Sequence, residues 1–420
     1  MTKDHKNIEI MAPVGSYEAL QAAIQGGCDS VYFGIEQLNM RSRSTKNFTT
    51  EDLKQIVAIA KEYSIKTYLT LNTIIYDTEI ELMKTIVNTA KEAGITAIIA
   101  SDIAAIQYAH SQGVEVHIST QANITNIEAV KFYARFADVM VTARELTIDQ
   151  VAEITKQIRK QNITGPKGDL IQIEIFAHGA LCMAVSGKCY MSLHAMNASA
   201  NRGACLQVCR RSYTLTDNET DNQLEVDNKY IMSPKDLWTI HFLNKILDAG
   251  VGVLKIEGRA RSPEYVRTVT KCYAEAVDAW YNDEYTAEKI KEWKTRLKSV
   301  FNRGFWNGYY LGQRLGEWSH KYGSRATSRK VYIGRVTNYF TKIKVAEISP
   351  DANQFSIDDK LLITGPTTGV EYIDVKEIRE DDQPIETTNQ GTPCSIKSEI
   401  KLRRSDKVYK IVDAAQVKQQ

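Results

Sequence analysis

At 420 residues the chain exceeds the ~100–200 of a typical domain, so it holds one large domain with an appendage or two to three smaller ones. Its 43% hydrophobic and 25% charged residues, with only 8 Pro and 23 Gly, exclude collagen-like, mucin-like and wholly disordered chains. Lys and Arg total 53 against 51 Asp and Glu, a net charge of +2, so no global field marks a nucleic-acid or membrane binder, and any such binding must use local patches.

The opening Met1-Thr2-Lys3-Asp4-His5-Lys6-Asn7 is charged and no apolar h-region follows it, which reads as a cytoplasmic protein without a secretory signal. The richest apolar stretch, residues 95–106, contains Ser101-Asp102 and is too short to span a bilayer. Short β-branched runs then alternate with amphipathic helical periods, the pattern of consecutive βα units around a parallel sheet. The eight runs fall at 8–12, 30–33, 66–71, 97–100, 115–119, 139–141, 171–176 and 252–256. Helices are predicted over 50–63, 79–93 and 147–161, with Gly26-Gly27, Gly94, Gly113 and Gly250 where helices should stop. Eight strands match an α/β fold of the (β/α)8 TIM-like barrel type, because a doubly wound sheet usually has about five or six strands and an early G-x-G-x-x-G, which is absent.

The connection between the seventh and eighth runs covers 177–250, far beyond the ~2–6 residues of an ordinary βα loop. It carries four of the seven cysteines, a predicted hairpin at 213–216 and 223–226 around Asp217-Asn218-Glu219-Thr220, and Ser233-Pro234, which reads as the N-cap and first residue of a helix. Helices are predicted at 263–280 and 287–301. A junction rich in glycine and aromatic residues spans 301–327, where Phe305, Trp306, Tyr309 and Tyr310 either stack bases or, as expected here, seal two domains together. Alternating strands at 331–336, 342–348, 360–363, 371–378 and 395–400 predict a small antiparallel β-barrel over 328–415. The division is therefore a barrel domain, 1–300, that includes the cysteine-bearing insertion, then the junction, then the β domain.

In such barrels the chemistry sits on loops after the carboxyl ends of the strands. The strongest signal is Cys182-x6-Cys189-x15-Cys205-x3-Cys209. Four thiolates from one insertion meet the ligand count of a zinc site or an iron–sulfur cluster. Only Cys205 and Cys209 have the spacing of a zinc knuckle; unliganded buried cysteines are the third reading. Arg202, Arg210 and Arg211 stand near these thiols, Arg41 and Arg43 follow the second strand, and Lys255, Arg259 and Arg261 surround the end of the eighth. Together they predict a basic mouth suited to an anionic substrate or RNA. Gln121 and Asn123 follow the fifth strand, where amides can read a base edge or a small acid. Glu174, His178, Arg144, Glu145 and Glu257 are the candidates for acid–base or carboxylate-binding work, each weighed against a packed or ion-paired role. His117 reads as a packed strand residue.

Glu174-Ile175-Phe176-Ala177-His178-Gly179-Ala180-Leu181-Cys182, followed by Ser186-Gly187-Lys188-Cys189-Tyr190-Met191-Ser192, resembles the U32 "collagenase-like peptidase" signature E-x-F-x-x-G-A-L-C-x4-G-x-C-x-M-S. The resemblance runs from Ala12-Pro13-Val14-Gly15-Ser16 through Lys255-Ile256-Glu257-Gly258-Arg259 to the β tail, and is greatest to the tRNA uridine 5-hydroxylation branch. It implies oxygen-independent hydroxylation of a wobble uridine in tRNA, a [4Fe–4S] cluster on Cys182, Cys189, Cys205 and Cys209, and prephenate or a similar small anionic metabolite as a partner. It carries no established proton-transfer residue. Two rivals remain. One is a peptidase using a Cys–His pair, with His178, His194 or His117 as the histidine, since G-x-S-x-G and H-E-x-x-H are both absent. The other is an RNA-binding module whose insertion is stapled by zinc.

Overall fold

The structure, a computed structural model, describes residues 8–42, 47–213, 232–313, 316–320 and 323–415. Each of the eight runs is buried along nearly its whole length, so its peptide groups are satisfied by neighbouring strands. Glu9–Pro13 (β1), Ser30–Phe33 (β2), Lys66–Leu71 (β3), Ala97–Ala100 (β4), Glu115–Ile118 (β5), Val139–Val141 (β6) and Gln172–Gly179 (β7) pair in parallel in chain order. Asp236–Trp238 forms β8, while Val253–Ile256 (β9) pairs in parallel with both β7 and β1 and closes the barrel. The (β/α)8 TIM-like architecture expected from the alternation is the one observed.

Helices Tyr17–Gln25 (α1), Asp52–Glu62 (α2), Ile80–Ala93 (α3), Ile103–Ser111 (α4), Ile127–Tyr133 (α5) and Ile148–Lys160 (α6) follow the first six strands. Their starts are chemically marked. The Ser16 hydroxyl accepts from Ala19 N at α1, and Thr147 with Gln150 forms a capping box at α6. The left-handed Gly94 (φ 81°) ends α3. Their inner faces join the outer strand faces in one core, while Met11, Tyr32, Tyr68, Ala97, Ile99, Val139 and Val253 form a separate buried cluster.

The insertion contributes Met191–Met196 (α7), and Leu243–Asp248 (α8) precedes β9. Ser233-Pro234 opens no helix, contrary to its local signal. Pro234 instead bridges Trp318, and β8 pairs antiparallel with β7 through His178↔Trp238 and Gly179↔Leu237. The reason is tertiary: β7 continues past the barrel to Gly179, and its free edge offers ladder bonds that a helix would leave unmade. Phe305–Trp306 (β10) pairs in parallel with β8. The hairpin expected over 213–226 lies almost wholly outside the described residues. Phe305 stacks on Trp238 at 4.4 Å, and Tyr310 OH donates to Phe176 O at 2.9 Å, so these aromatics of the junction seal the insertion onto the barrel.

After Pro263–Tyr281 (α9) and Ala287–Ser299 (α10) come Ser328–Phe340 (β11), Val345–Ser349 (β12), Lys360–Gly365 (β13), Gly369–Asp374 (β14), Ile378–Glu380 (β15), Gln383–Ile385 (β16), Cys394–Lys397 (β17) and Lys407–Asp413 (β18). They form one antiparallel sheet in the order β14-β13-β18-β11-β12-β17-β15-β16. Leu361 and Ile363 of β13 share a core with Ile378 of β15 and Ile396 of β17, so the sheet curls around one apolar centre. It docks on the barrel where Gln25 Nε2 donates to Thr368 O (3.0 Å) and Arg267 meets Glu371 (3.6 Å). No described helix is long and apolar enough to cross a membrane.

Candidate functional site

The loops at the carboxyl ends of the barrel strands surround a cavity of about 190 Å3. Two glycines allow its tight wall. A Cβ on Gly15 would lie 2.1 Å from the carbonyl oxygen of Arg259, and one on Gly179 (φ 108°) would lie 2.3 Å from that of Glu257. Both contacts are with backbone, so a side chain at either position must displace the loop that carries Glu257 and Arg259.

The cavity is basic although the chain is nearly neutral. Arg41, Arg144, Lys255, Arg259 and Arg261 line it from the barrel, Arg210 from the insertion and Arg303 from beyond α10; Glu257 is the one carboxylate among the described lining residues. Burial works against ionisation of Glu257, but Arg41, Arg144, Arg259 and the Tyr32 hydroxyl together hold its pKa below the usual carboxylate value. The Tyr32 hydroxyl donates to Glu257 Oε2 at 3.1 Å. Glu257 therefore stays ionised at neutral pH and acts as an anchor for guanidiniums, not as a proton donor. Arg259 is buried and donates from Nη1 to Asn39 Oδ1 (3.1 Å) and Thr70 Oγ1 (3.0 Å). The Arg144 guanidinium lies 3.8 Å from the centre of the Phe176 ring. Lys255 Nζ is 2.8 Å from Glu174 Oε1 beneath the cavity, and 4.6 Å from the Tyr32 ring centre. Gln121 faces the opening, its Oε1 accepting from Asn72 Nδ2 at 3.3 Å and from the Ser119 hydroxyl.

The insertion closes this mouth with sulfur. Cys182, Cys205 and Cys209 line the cavity, and Cys189 belongs to the same neighbourhood. Burial raises the pKa of the Cys189 and Cys209 thiols, and the other thiols add to that effect. All four are free of disulfides. Arg210 anchors the segment by donating to Ser233 Oγ (3.1 Å), Pro234 O (2.7 Å) and Leu181 O (2.6 Å); burial pushes its pKa down to about 10. Four thiols beside guanidiniums could hold a thiolate-ligated group, whose negative charge the arginines would offset. Among the described residues no three His, Cys, Asp or Glu side chains gather closely enough to hold a metal ion.

Residues 15–320 match the family model described as Peptidase family U32. The chain belongs to this family. It is 58% identical over 404 residues to a Porphyromonas gingivalis protein named collagenase, covering 96% of this chain and 98% of that one. It is 32% identical over 369 residues to tRNA hydroxylation protein P1 of Bacillus subtilis, covering 86% and 84% of the two chains. Identity to the 23S rRNA 5-hydroxycytidine C2501 synthase of Escherichia coli is 31% over 324 residues, 76% of this chain and 47% of that one.

Several U32 candidate residues stand away from the mouth. Arg202 pairs with Glu79 (Nη1 to Oε2, 2.6 Å) and lies 3.9 Å from the Tyr76 ring centre, pinning the insertion beside α3. Glu145, Asn123 and Arg211 are exposed and do not line the cavity; Arg43 lies outside the described residues. His117 is buried against Tyr68 at 4.5 Å, with Nε2 3.2 Å from Glu115. The site also contains residues that reading strand-end loops alone overlooks. Tyr32 and Thr70 project from within β2 and β3, and Arg303 arrives from the segment after α10. The signal available for the strand residues is the period-2 pattern of polar groups in otherwise apolar runs.

His178 is enclosed by Tyr265, Tyr273 and Phe305, with ring centres 6.1, 5.6 and 5.6 Å away, and does not line the cavity. Burial, opposed by Asp236 and assisted by Arg261, pushes its pKa down to about 4. An unfolded histidine takes up its proton near pH 6.5, so between about 6.5 and 4 the unfolded state binds more protons and stability is lost as the pH is lowered. The loss for this group between pH 7 and pH 5 is about 2 kcal/mol. His178→Gln is expected to remove that share of the pH dependence, leaving the share of His241, which burial and Lys294 also push down to about 4. Urea midpoints of both proteins at pH 7 and 5 measure it; an identical pH dependence would contradict the assignment.

Proposed function

We propose that this U32 protein acts in the oxygen-independent hydroxylation of a uridine in tRNA, at the wobble position, with a [4Fe–4S] cluster held by Cys182, Cys189, Cys205 and Cys209. The observation that carries the reading is the meeting of three free thiols and a ring of guanidiniums on one cavity, with the fourth thiol, Cys189, beside them and no histidine among the described lining residues. A cluster has several iron corners, so its thiolates stand around a volume and need not converge on a point. When bound it would supply one-electron transfer or Lewis acidity at the mouth. A cavity of about 190 Å3, small beside the ~300–1,000 Å3 of drug-sized sites, suits a single base or a small acid. Gln121 and Asn72 present amides to a base edge, while Arg41, Arg144 and Arg259 suit the carboxylates of a donor such as prephenate. The relatives named for tRNA and rRNA hydroxylation support the same reading.

The second reading, a peptidase, is favoured by the collagenase name of the relative at 58% identity. The buried rings of His178 and His117 argue against a Cys–His pair through either, because neither lines the mouth where the thiols stand; His194 is exposed on α7 and does not line the mouth. Anaerobic purification with iron and sulfide analysis, joined to nucleoside mass spectrometry of tRNA from a deletion strain, tests the proposal. Iron with acid-labile sulfide and loss of 5-oxyuridine derivatives are expected. Iron-free protein together with an unaltered nucleoside profile would overturn it, and cleavage of collagen by that material would favour the rival.

A further inference from the structure

A second groove, of about 650 Å3, lies outside the barrel where α9 and the end of α10 face β11, β13 and β14. Its described lining holds Arg267, Lys271, Arg296, Arg329, Lys330 and Lys360 against one carboxylate, Glu264. On a chain with a net charge of +2 this is a marked local concentration of cations. Three of the six have carboxylate partners. Arg267 meets Glu371 at 3.6 Å, Arg296 Nη2 meets Glu275 at 3.2 Å, and Lys330 meets Glu264 at 2.8 Å. Lys271, Arg329 and Lys360 are exposed, and among the described residues none has a carboxylate within ion-pair distance. Serine hydroxyls from Ser262, Ser299, Ser324 and Ser328 complete a lining dominated by hydrogen-bond donors.

The groove adjoins the mouth. The guanidinium of Arg261, which lines the mouth, lies 3.7 Å from the ring centre of Phe301, and that of Arg303 lies 5.3 Å from it. Phe301 itself lines the groove, so one aromatic ring separates two cation-rich surfaces. The mouth admits little more than one base, so the remainder of a macromolecular substrate must lie outside it. Spaced cations and hydroxyls, with few acids, match the repeating single charges of a phosphodiester chain.

We propose that this groove binds the sugar–phosphate backbone of the RNA whose base enters the mouth, a proposal that rests on the tRNA reading above. The α9–sheet junction is then a second RNA contact, giving affinity independent of base identity. Three phosphate contacts change the salt dependence in a defined way. The combined Lys271→Gln, Arg329→Gln and Lys360→Gln variant should reduce the slope of log affinity against log salt by about 3, and weaken binding near 0.1 M salt by roughly 10²-fold or more.

The measurement is fluorescence anisotropy of the full chain with unfractionated bacterial tRNA over a KCl series. Lys131→Gln with Lys156→Gln, exposed on α5 and α6, serves as a charge control and should cost far less. Should the triple variant misfold, each single substitution is expected to lower affinity by roughly tenfold and the slope by about 1. Wild-type affinity and slope in the folded triple variant, or in all three single variants, overturn the groove proposal alone. Binding of tRNA unaltered while binding of gelatin is lost also overturns it and assigns the groove to a polypeptide. A wild-type chain that does not bind tRNA overturns both this proposal and the function on which it rests. Cys182→Ala separates the two: it should retain tRNA affinity while losing the modified nucleoside.

Discussion

Cys182→Ala, Cys189→Ala, Cys205→Ala and Cys209→Ala are each expected to lower the hydroxylated uridine by more than about 100-fold, since changes merely around a metal site already cost ~10–100-fold. Each should also reduce the iron and sulfide content of anaerobically purified protein. The equality of the four effects is the diagnostic, because ligands of one cofactor share its loss whereas a nucleophile is a single residue. One cysteine whose loss alone abolished activity, with iron unchanged in all four variants, would point to covalent catalysis. Cys394→Ala supplies the control. Cys394 is buried in the sheet core and its thiol is pushed up to about 12 by burial, so replacing it should leave nucleoside yield unchanged. A structural zinc site would give another pattern: zinc without iron in the parent, and loss of fold in the insertion upon chelation.

The barrel was legible because periodicity and burial agree there. The runs at 30–33, 97–100 and 252–256 are mostly apolar, and they form buried strands that leave few alternatives. Three of the four clustered cysteines and the basic residues of the Lys255 to Arg261 segment, singled out in the sequence by their chemistry, line the cavity. What escaped the sequence depends on contacts between distant segments. Ser233-Pro234 is a sound local helix signal, yet Asp236 two residues later is held by Arg303 at 3.2 Å and begins a strand on the β7 edge. Arg202 looks like any basic neighbour of the cysteines until Glu79 and Tyr76 are brought against it. In the tail, β15 and β16 have three residues each, too short for alternation to register, and β18 buries only Val408 fully and so shows no clean alternation; these three take the five predicted strands to eight. The basic groove was equally hidden, since Lys271 and Lys360 are far apart in sequence and adjoin only when the sheet docks on α9.

Lys255→Met is expected to destabilise the barrel by about 3–5 kcal/mol, the usual cost of removing one partner from a buried ion pair. Glu174 is 0% exposed, Lys255 provides the hydrogen bond to Oε1 at 2.8 Å, and Oε2 has no hydrogen-bond partner among the described residues. Without the ammonium, the carboxylate must either remain charged in an apolar interior or take up a proton, and both states are less stable than the pair. Glu174→Gln should cost less, because Lys255 lines the cavity and retains the Tyr32 ring at 4.6 Å. Replacing both partners, Lys255→Met with Glu174→Leu, should recover most of the lost stability, since no isolated charge remains. Unfolding midpoints in urea for the two single variants and the double variant define the coupling. A Lys255→Met protein within about 1 kcal/mol of wild type would show that the pair is not what holds this layer. Product yield separates structure from chemistry: under the proposed function the double variant should fold yet remain impaired, because the cavity has lost one of its cations.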